Sequence, residues 1–365
     1  MSQEVGREIS GGEPDRAADE QVIEVLRKEC GKLENRGYAD NGIKEFQKAA
    51  AKYLEDVYDV HGINPSSQII HGIGSKPILA MLPMCVINPG DVTLLTTPGY
   101  PILRTYTEYL GGEVYKLPLK KSNNFLPELN KIPDEILKRA KLLYINYPNN
   151  PTGAVATKEF FEQVVAFAKK NNILVVHDAA YGAIVHDEKP LSFLSINGAT
   201  EVGAEIHSLS KAFSMTGWRL AFVAGNETLI KAYATVKDNT DSGQFIGIQK
   251  AGAYALSHPE ITKRVCEHYE RRMELLCSVL NQLGFNAVKP KASFYCYVQA
   301  PKGAKGQVFH TAEEASEFLI REALISVVPW DEEKAYLRFS VTYEGNDEEV
   351  MEELKKRLSK LDLVF

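Results

Sequence analysis

Cysteine is scarce in this chain. There are five among 365 residues, at positions 30, 85, 266, 277 and 296. Their number is odd and no two stand at CxxC spacing, which excludes a disulfide framework and argues against a zinc site. A basic excess is also missing: 42 Lys and Arg face 48 Asp and Glu, a net charge of −6. General nucleic-acid and membrane-surface binders carry the opposite balance. No apolar run approaches the roughly 20 residues that span a bilayer. The first ten residues, MSQEVGREIS, contain no apolar stretch of the kind a signal peptide needs. Internal repeats and low-complexity tracts are absent. The expectation is a cytoplasmic globular protein with no nucleic-acid, membrane or metal partner, long enough for two domains.

Six short apolar runs read as buried strands: 68–73, 91–97, 140–147, 172–178, 205–210 and 220–225. Helical patterns lie between them. Residues 76–87 form one, with Pro83 as a kink. Residues 157–172 form the clearest, with Thr157 as N-cap, an apolar stripe through Phe160, Phe161, Val164 and Val165, and a basic C-terminal end. Strands alternating with helices predict an α/β domain whose sheet is covered on both faces. It is placed at 42–240. Beyond it the pattern changes to a long amphipathic helix (259–284), alternating strands (293–301 and 335–343) and a closing helix (346–361), a smaller α+β domain at 241–365. Residues 1–41 are expected to pack near it.

In open α/β sheets, ligands sit beyond the carboxyl ends of the strands. After 68–73 come Gly74, Ser75 and Lys76, either a plain turn or backbone N–H groups offered to an anion. After 91–97 comes PGYP with Tyr100, either a packed tyrosine or an aromatic face for a flat ligand. After 140–147 comes PNNPTG, a rigid turn that can aim the Asn150 amide. Asp178 ends an aliphatic strand, where an unpaired carboxylate is costly and calls for a cationic partner. Three residues on stands Tyr181. His177 points to the opposite face of the same strand. Finally, SLSKAFSMTGWR (208–219) brings hydroxyls at Ser208 and Ser210, the amine of Lys211 and the guanidinium of Arg219 into one stretch. Hydroxyls with a bidentate guanidinium suit a phosphate. A lysine becomes a nucleophile when burial or neighbouring cations lower its pKa.

Together these describe one ligand: a phosphate, a flat ring, a ring nitrogen kept protonated, a ring oxygen and an aldehyde that captures lysine. That is pyridoxal 5′-phosphate. The chain also resembles, over nearly its whole length, the fold type I aminotransferases of class I and II related to aspartate aminotransferase. SLSKAFSMTGWRLA, YPNNPTG, HDAAY and GYADNGI carry the resemblance, in the family's order and spacing. It implies a seven-stranded, mostly parallel sheet between helices in the large cofactor-binding domain. It implies that Lys211 bonds the cofactor's aldehyde and moves the substrate's Cα proton, and that Asp178 pairs with the pyridine nitrogen. Asn150 and Tyr181 would hold the ring oxygen and Tyr100 would stack on the ring. Ser75, Lys76, Ser208 and Arg219 would hold the phosphate. Arg338 and Gly12 would bind the substrate α-carboxylate, Asn150 lying beside them. Tyr38 would reach the phosphate in a neighbouring subunit, so a homodimer with sites at the interface is implied.

Within the family, the chain is most similar to the LL-diaminopimelate aminotransferases of lysine biosynthesis, with glutamate the expected amino donor. The segments GEPD, NRGYADNGIKEF and VKDNTDSGQFIGIQKAG carry that likeness. Asn239, Asp241, Ser242 and Gln244 are candidates for the distal polar groups of such a substrate, though helix-turn chemistry explains them equally. Alanine, aspartate or aromatic aminotransferases, and a C–S β-lyase on the same fold, are the alternatives. The chain departs from the family at its start. Eleven residues precede Gly12 where related enzymes carry a longer arm across the dimer, and Ser10-Gly11 replaces a more apolar approach.

Overall fold

The computed structural model describes residues 7–8, 11–186, 189–332 and 334–365; Ser10 and most of the segment before Gly11 lie outside them. A large sheet contains β1 (Ile69–Gly72), β2 (Val92–Thr97), β3 (Glu113–Pro118), β4 (Ala140–Asn146), β5 (Leu174–Asp178), β6 (Gly203–Ser208) and β7 (Ala221–Gly225). Their order is β1-β7-β6-β5-β4-β2-β3. Strands β2 to β6 run parallel, and β7 is antiparallel to both its neighbours. This is the mostly parallel seven-stranded sheet the resemblance implied. A second, antiparallel sheet holds β8 (Tyr295–Gln299), β9 (Val328–Asp331) and β10 (Ala335–Ser340), with β10 in the middle.

The helices used below are α1 (Glu20–Cys30), α2 (Lys44–Tyr58), α3 (Ser75–Met81) and α4 (Lys158–Asn171). They continue with α5 (Leu209–Ala212), α6 (Ile246–Leu256), α7 (Glu260–Gln282) and α8 (Asp347–Leu358). The large sheet is buried from both sides, which is why its inner strands are predominantly apolar. On one face Leu143, Ile145, Val175 and Phe222 meet Phe46 of α2, Phe161 of α4 and Ala251 of α6. On the other, Leu142, Val176 and Ile206 meet Ile78 and Leu79 of α3. A separate core joins Val298, Leu337 and Phe339 of the small sheet to Met273 and Leu276 of α7 and Leu354 of α8.

Local chemistry explains the boundaries. The Thr157 hydroxyl accepts the Phe160 N–H at 3.1 Å and caps α4 as its sequence predicts. Pro83 brings the 76–87 pattern to a break: the α-helix ends at Met81 and a 3₁₀ turn follows over Leu82–Cys85. Two expectations are corrected. The run 205–210 is strand only to Ser208, because Ser208 caps the helical turn α5 that holds Lys211. Strand β3 escaped the apolar search because it forms the sheet's edge, where one side is solvated and charge is tolerated.

Pairing places the chemistry. Asn146 at the end of β4 stands opposite Asp178 at the end of β5, which stands opposite Ile206 two residues before Ser208. Three polar side chains thus end neighbouring strands at the sheet's carboxyl edge.

Candidate active site

A cavity of about 870 Å³ opens at that edge. Of the twelve residues to which the resemblance gives a cofactor or α-carboxylate role, eleven line it: Gly12, Ser75, Lys76, Tyr100, Asn150, Asp178, Tyr181, Ser208, Lys211, Arg219 and Arg338. Segments near both ends of the chain contribute, so the cavity exists only in the folded molecule. Tyr38 is the exception. It is 84% exposed and lies away from the cavity wall.

Asp178 is buried at the cavity's inner wall. Its Oδ2 accepts from the Tyr144 hydroxyl at 3.2 Å and its Oδ1 from the Ala180 N–H at 3.1 Å. Burial still pushes the carboxyl above its usual range, with those two donors and the nearby histidines opposing. An acid held so dry gains from a cation beside it. Lys211 faces the same cavity. Burial and the charges of Arg219 and Arg338 lower its pKa to about 8, against the opposing pull of Glu13. Its amine donates to the Gly12 carbonyl.

The phosphate-type donors gather on the neighbouring loops. Ser75 opens α3 behind Gly74, whose φ is 85°. The Arg219 guanidinium packs so closely on Gly74 that a Cβ there would collide with it. Arg219 is fixed from the other side, its Nη1 donating to the Thr216 carbonyl at 2.8 Å. Elsewhere in the cavity wall, Arg338 donates to Asn150 Oδ1 at 2.7 Å. Asn150 is held in turn, its N–H donating to Asn146 Oδ1 at 2.9 Å, while Asn146 Nδ2 reaches the Asp178 carbonyl at 2.8 Å.

His177 lies on the far face, as alternation requires, bonded to Glu205 at 2.7 Å and to the Tyr147 carbonyl at 2.9 Å. The proposed distal-group residues are not in the wall. Asp241 pairs with the buried Lys237, and the Gln244 amide donates to the Trp218 and Arg219 carbonyls at 2.7 Å each. The Gln244 bonds brace the loop that carries Arg219. Sequence reading missed Asn146, Tyr144 and Tyr295 because each sits inside a strand pattern. Nothing local marked Tyr295: its place on the same face as Arg338 comes from the β8–β10 register.

Residues 9–358 match the model of the family described as aminotransferase class I and II. The chain belongs to that family. The LL-diaminopimelate aminotransferase of Methanocaldococcus jannaschii is 57% identical over 97% of this chain and 88% of its own length. Among solved structures, substrate-bound BacF from Bacillus subtilis superposes with a TM-score of 0.93 at 36% identity, over 98% of this chain and 91% of that one. An aromatic aminotransferase from Pyrococcus horikoshii gives 0.88 at 26% identity, over 97% and 95%.

Class I and II aminotransferases use pyridoxal 5′-phosphate, and so does this enzyme. The donor set fits that group: a buried carboxylate with no lysine or arginine paired to it among the described residues, an amine of lowered pKa, and an arginine seated on a glycine beside two serines. Among the described residues, no group of three or more His, Cys, Asp or Glu is arranged to hold a metal. No described helix is long and apolar enough to cross a membrane.

Proposed function

We propose that this aminotransferase moves an amino group between glutamate and the open keto form of tetrahydrodipicolinate, giving LL-diaminopimelate for lysine synthesis. One observation carries the substrate: 57% identity across 97% of the chain to a protein bearing that activity's name. When bound, the cofactor supplies an aldehyde that takes the amino group and a protonated ring that accepts electrons from the substrate's Cα. Asp178 keeps the ring nitrogen protonated, a role its burial supports. Lys211 carries the Cα proton, and an amine titrating near 8 is suited to giving and taking one near neutral pH. Ser75, Lys76, Ser208 and Arg219 hold the phosphate, Tyr100 lies on the ring face, and Asn150 and Tyr181 hold the ring oxygen. Arg338 and Gly12 receive the substrate α-carboxylate.

Tyr38 acts on the phosphate of a second copy, in a homodimer whose sites lie at the interface. Its exposure, on a loop fixed by the Ala39–Gly243 bridge, supports that reading. The chain divides into a segment 1–41, a large cofactor-binding domain 42–240 and a small domain 241–365; against the expectation that 1–41 packs with the small domain, Ala18 and Val22 of α1's segment join the large sheet's core, as does α6. Five free thiols support a cytoplasmic location.

The test is a substrate panel on the purified, cofactor-loaded protein. Glutamate alone should bleach its visible absorbance, and tetrahydrodipicolinate should then restore it with LL-diaminopimelate as product. Preference for pyruvate, oxaloacetate or an aromatic keto acid would move the enzyme to a neighbouring subgroup. Release of pyruvate and ammonia from cystathionine or cysteine, with no keto-acid acceptor, would make it a β-lyase.

A further inference from the structure

Tyr295 opens β8 and is 2% exposed. Three parts of the cavity converge on it. Its hydroxyl lies 3.0 Å from that of Tyr181. The guanidinium carbon of Arg338 sits 4.0 Å from its ring centroid. A Cβ on Gly12 would come within 2.7 Å of its hydroxyl oxygen. The register explains the meeting: Tyr295 pairs with Ser340 across β10, which puts it on the same face as Arg338, two residues along.

A tyrosine that merely fills the core needs no hydroxyl, and a buried hydroxyl is costly without a partner. Here the recorded partner is itself a wall residue of the cavity. Burial pushes the Tyr181 phenol well above its usual range, and Tyr295 pushes it further; burial raises Tyr295 too. Both therefore keep their protons at neutral pH. One hydroxyl must donate to the other, and the second keeps a proton to offer onward. The ring has a separate use. Its face lies under the Arg338 guanidinium, a cation–π contact that fixes the height of that group above β8.

We propose that Tyr295 is a positioning residue that couples the two halves of the site: its hydroxyl orients Tyr181 towards the cofactor's ring oxygen, and its ring seats Arg338 for the substrate carboxylate. This rests on the roles given above to Tyr181 and Arg338. The donation runs from Tyr295 to Tyr181 to the ring oxygen, so each hydrogen bond strengthens the next.

Two substitutions separate the halves. Tyr295→Phe keeps the ring and removes the hydroxyl; Tyr295→Leu removes both. In the cofactor-loaded protein, the visible absorbance is titrated against pH, and KM and kcat for glutamate are measured beside it. Tyr295→Phe should raise the titration midpoint by about 0.3 in pH, because the ring oxygen loses donor strength, and leave KM within about twofold. Tyr295→Leu should raise the midpoint equally and KM about tenfold. An unmoved midpoint in Tyr295→Phe, or a rise in its KM matching that of Tyr295→Leu, overturns the proposal. If Tyr295→Leu does not fold, the Tyr295→Phe titration decides alone. A wild-type protein that shows no visible band with pyridoxal 5′-phosphate would sink the cofactor reading itself. A normal wild-type band with unresponsive variants sinks only the role of Tyr295.

Discussion

The buried Lys211 amine costs the fold stability. Its pKa falls from an ordinary 10.5 to about 8, chiefly by desolvation and then by Arg219 and Arg338. The folded state therefore binds its proton more weakly than the unfolded chain does. Below pH 8 both states are protonated and the destabilisation is fully present, at about 3 kcal/mol. Between pH 8 and 10.5 the unfolded state binds more protons, so stability rises with pH. Lys211→Met should accordingly melt higher than the wild type at pH 7 when both are free of cofactor. The gap should narrow as pH climbs from 8 to 10.5, as read by thermal denaturation across pH. A variant that melts lower throughout would mean the amine's bond to the Gly12 carbonyl outweighs its burial. At this scale the sequence was legible wherever a residue broke its local pattern. Asp178 after four aliphatics and Lys211 among hydroxyls stood out; Tyr295 and Asn146, matching their strands, did not.

Helix α4 shows the element scale at its most predictable. Its N-cap, apolar stripe and basic end all appear in the local sequence, and the Thr157 hydroxyl takes the Phe160 N–H as expected. Thr157→Ala should cost about 1 kcal/mol in chemical denaturation with kcat unchanged, since the helix buries its stripe on the sheet and none of its residues lines the cavity. A larger loss would implicate Thr157 in more than the cap. The strand ends were less legible. Periodicity within 205–210 does not say that backbone pairing stops at Ser208; pairing ends there because β7 starts opposite it at Ala221 and the Ser208 side chain turns to capping α5. Edge strand β3 was hidden for a related reason. Its partial exposure follows from its place at the end of the sheet order, a property of the whole sheet.

At the scale of the whole molecule, Tyr38 offers the sharpest prediction. A side chain 84% exposed and away from its own cavity can serve a site only in another copy. Tyr38→Ala and Lys211→Ala should each depress turnover as pure proteins. Refolded or exchanged together, they should recover activity in the mixed dimer. One of its two sites then combines an intact Lys211 from one chain with an intact Tyr38 from the other. Turnover that stays at the sum of the two parents would place Tyr38 outside the partner's site.

The sequence alone determined the alternation of strands and helices and the turns at the strand ends, and with the family resemblance it named most of the polar groups in the cavity. These are local matters: periodicity, capping and the expense of a charge among aliphatics show within a few residues. The tertiary structure decided what those groups do to one another. Arg338 meets Asn150 across 188 positions and Tyr181 meets Tyr295 across 114. Such contacts arise from strand register and from the packing of two cores, and the low-dielectric cavity that shifts Asp178 upward and Lys211 downward forms only when both cores close around it.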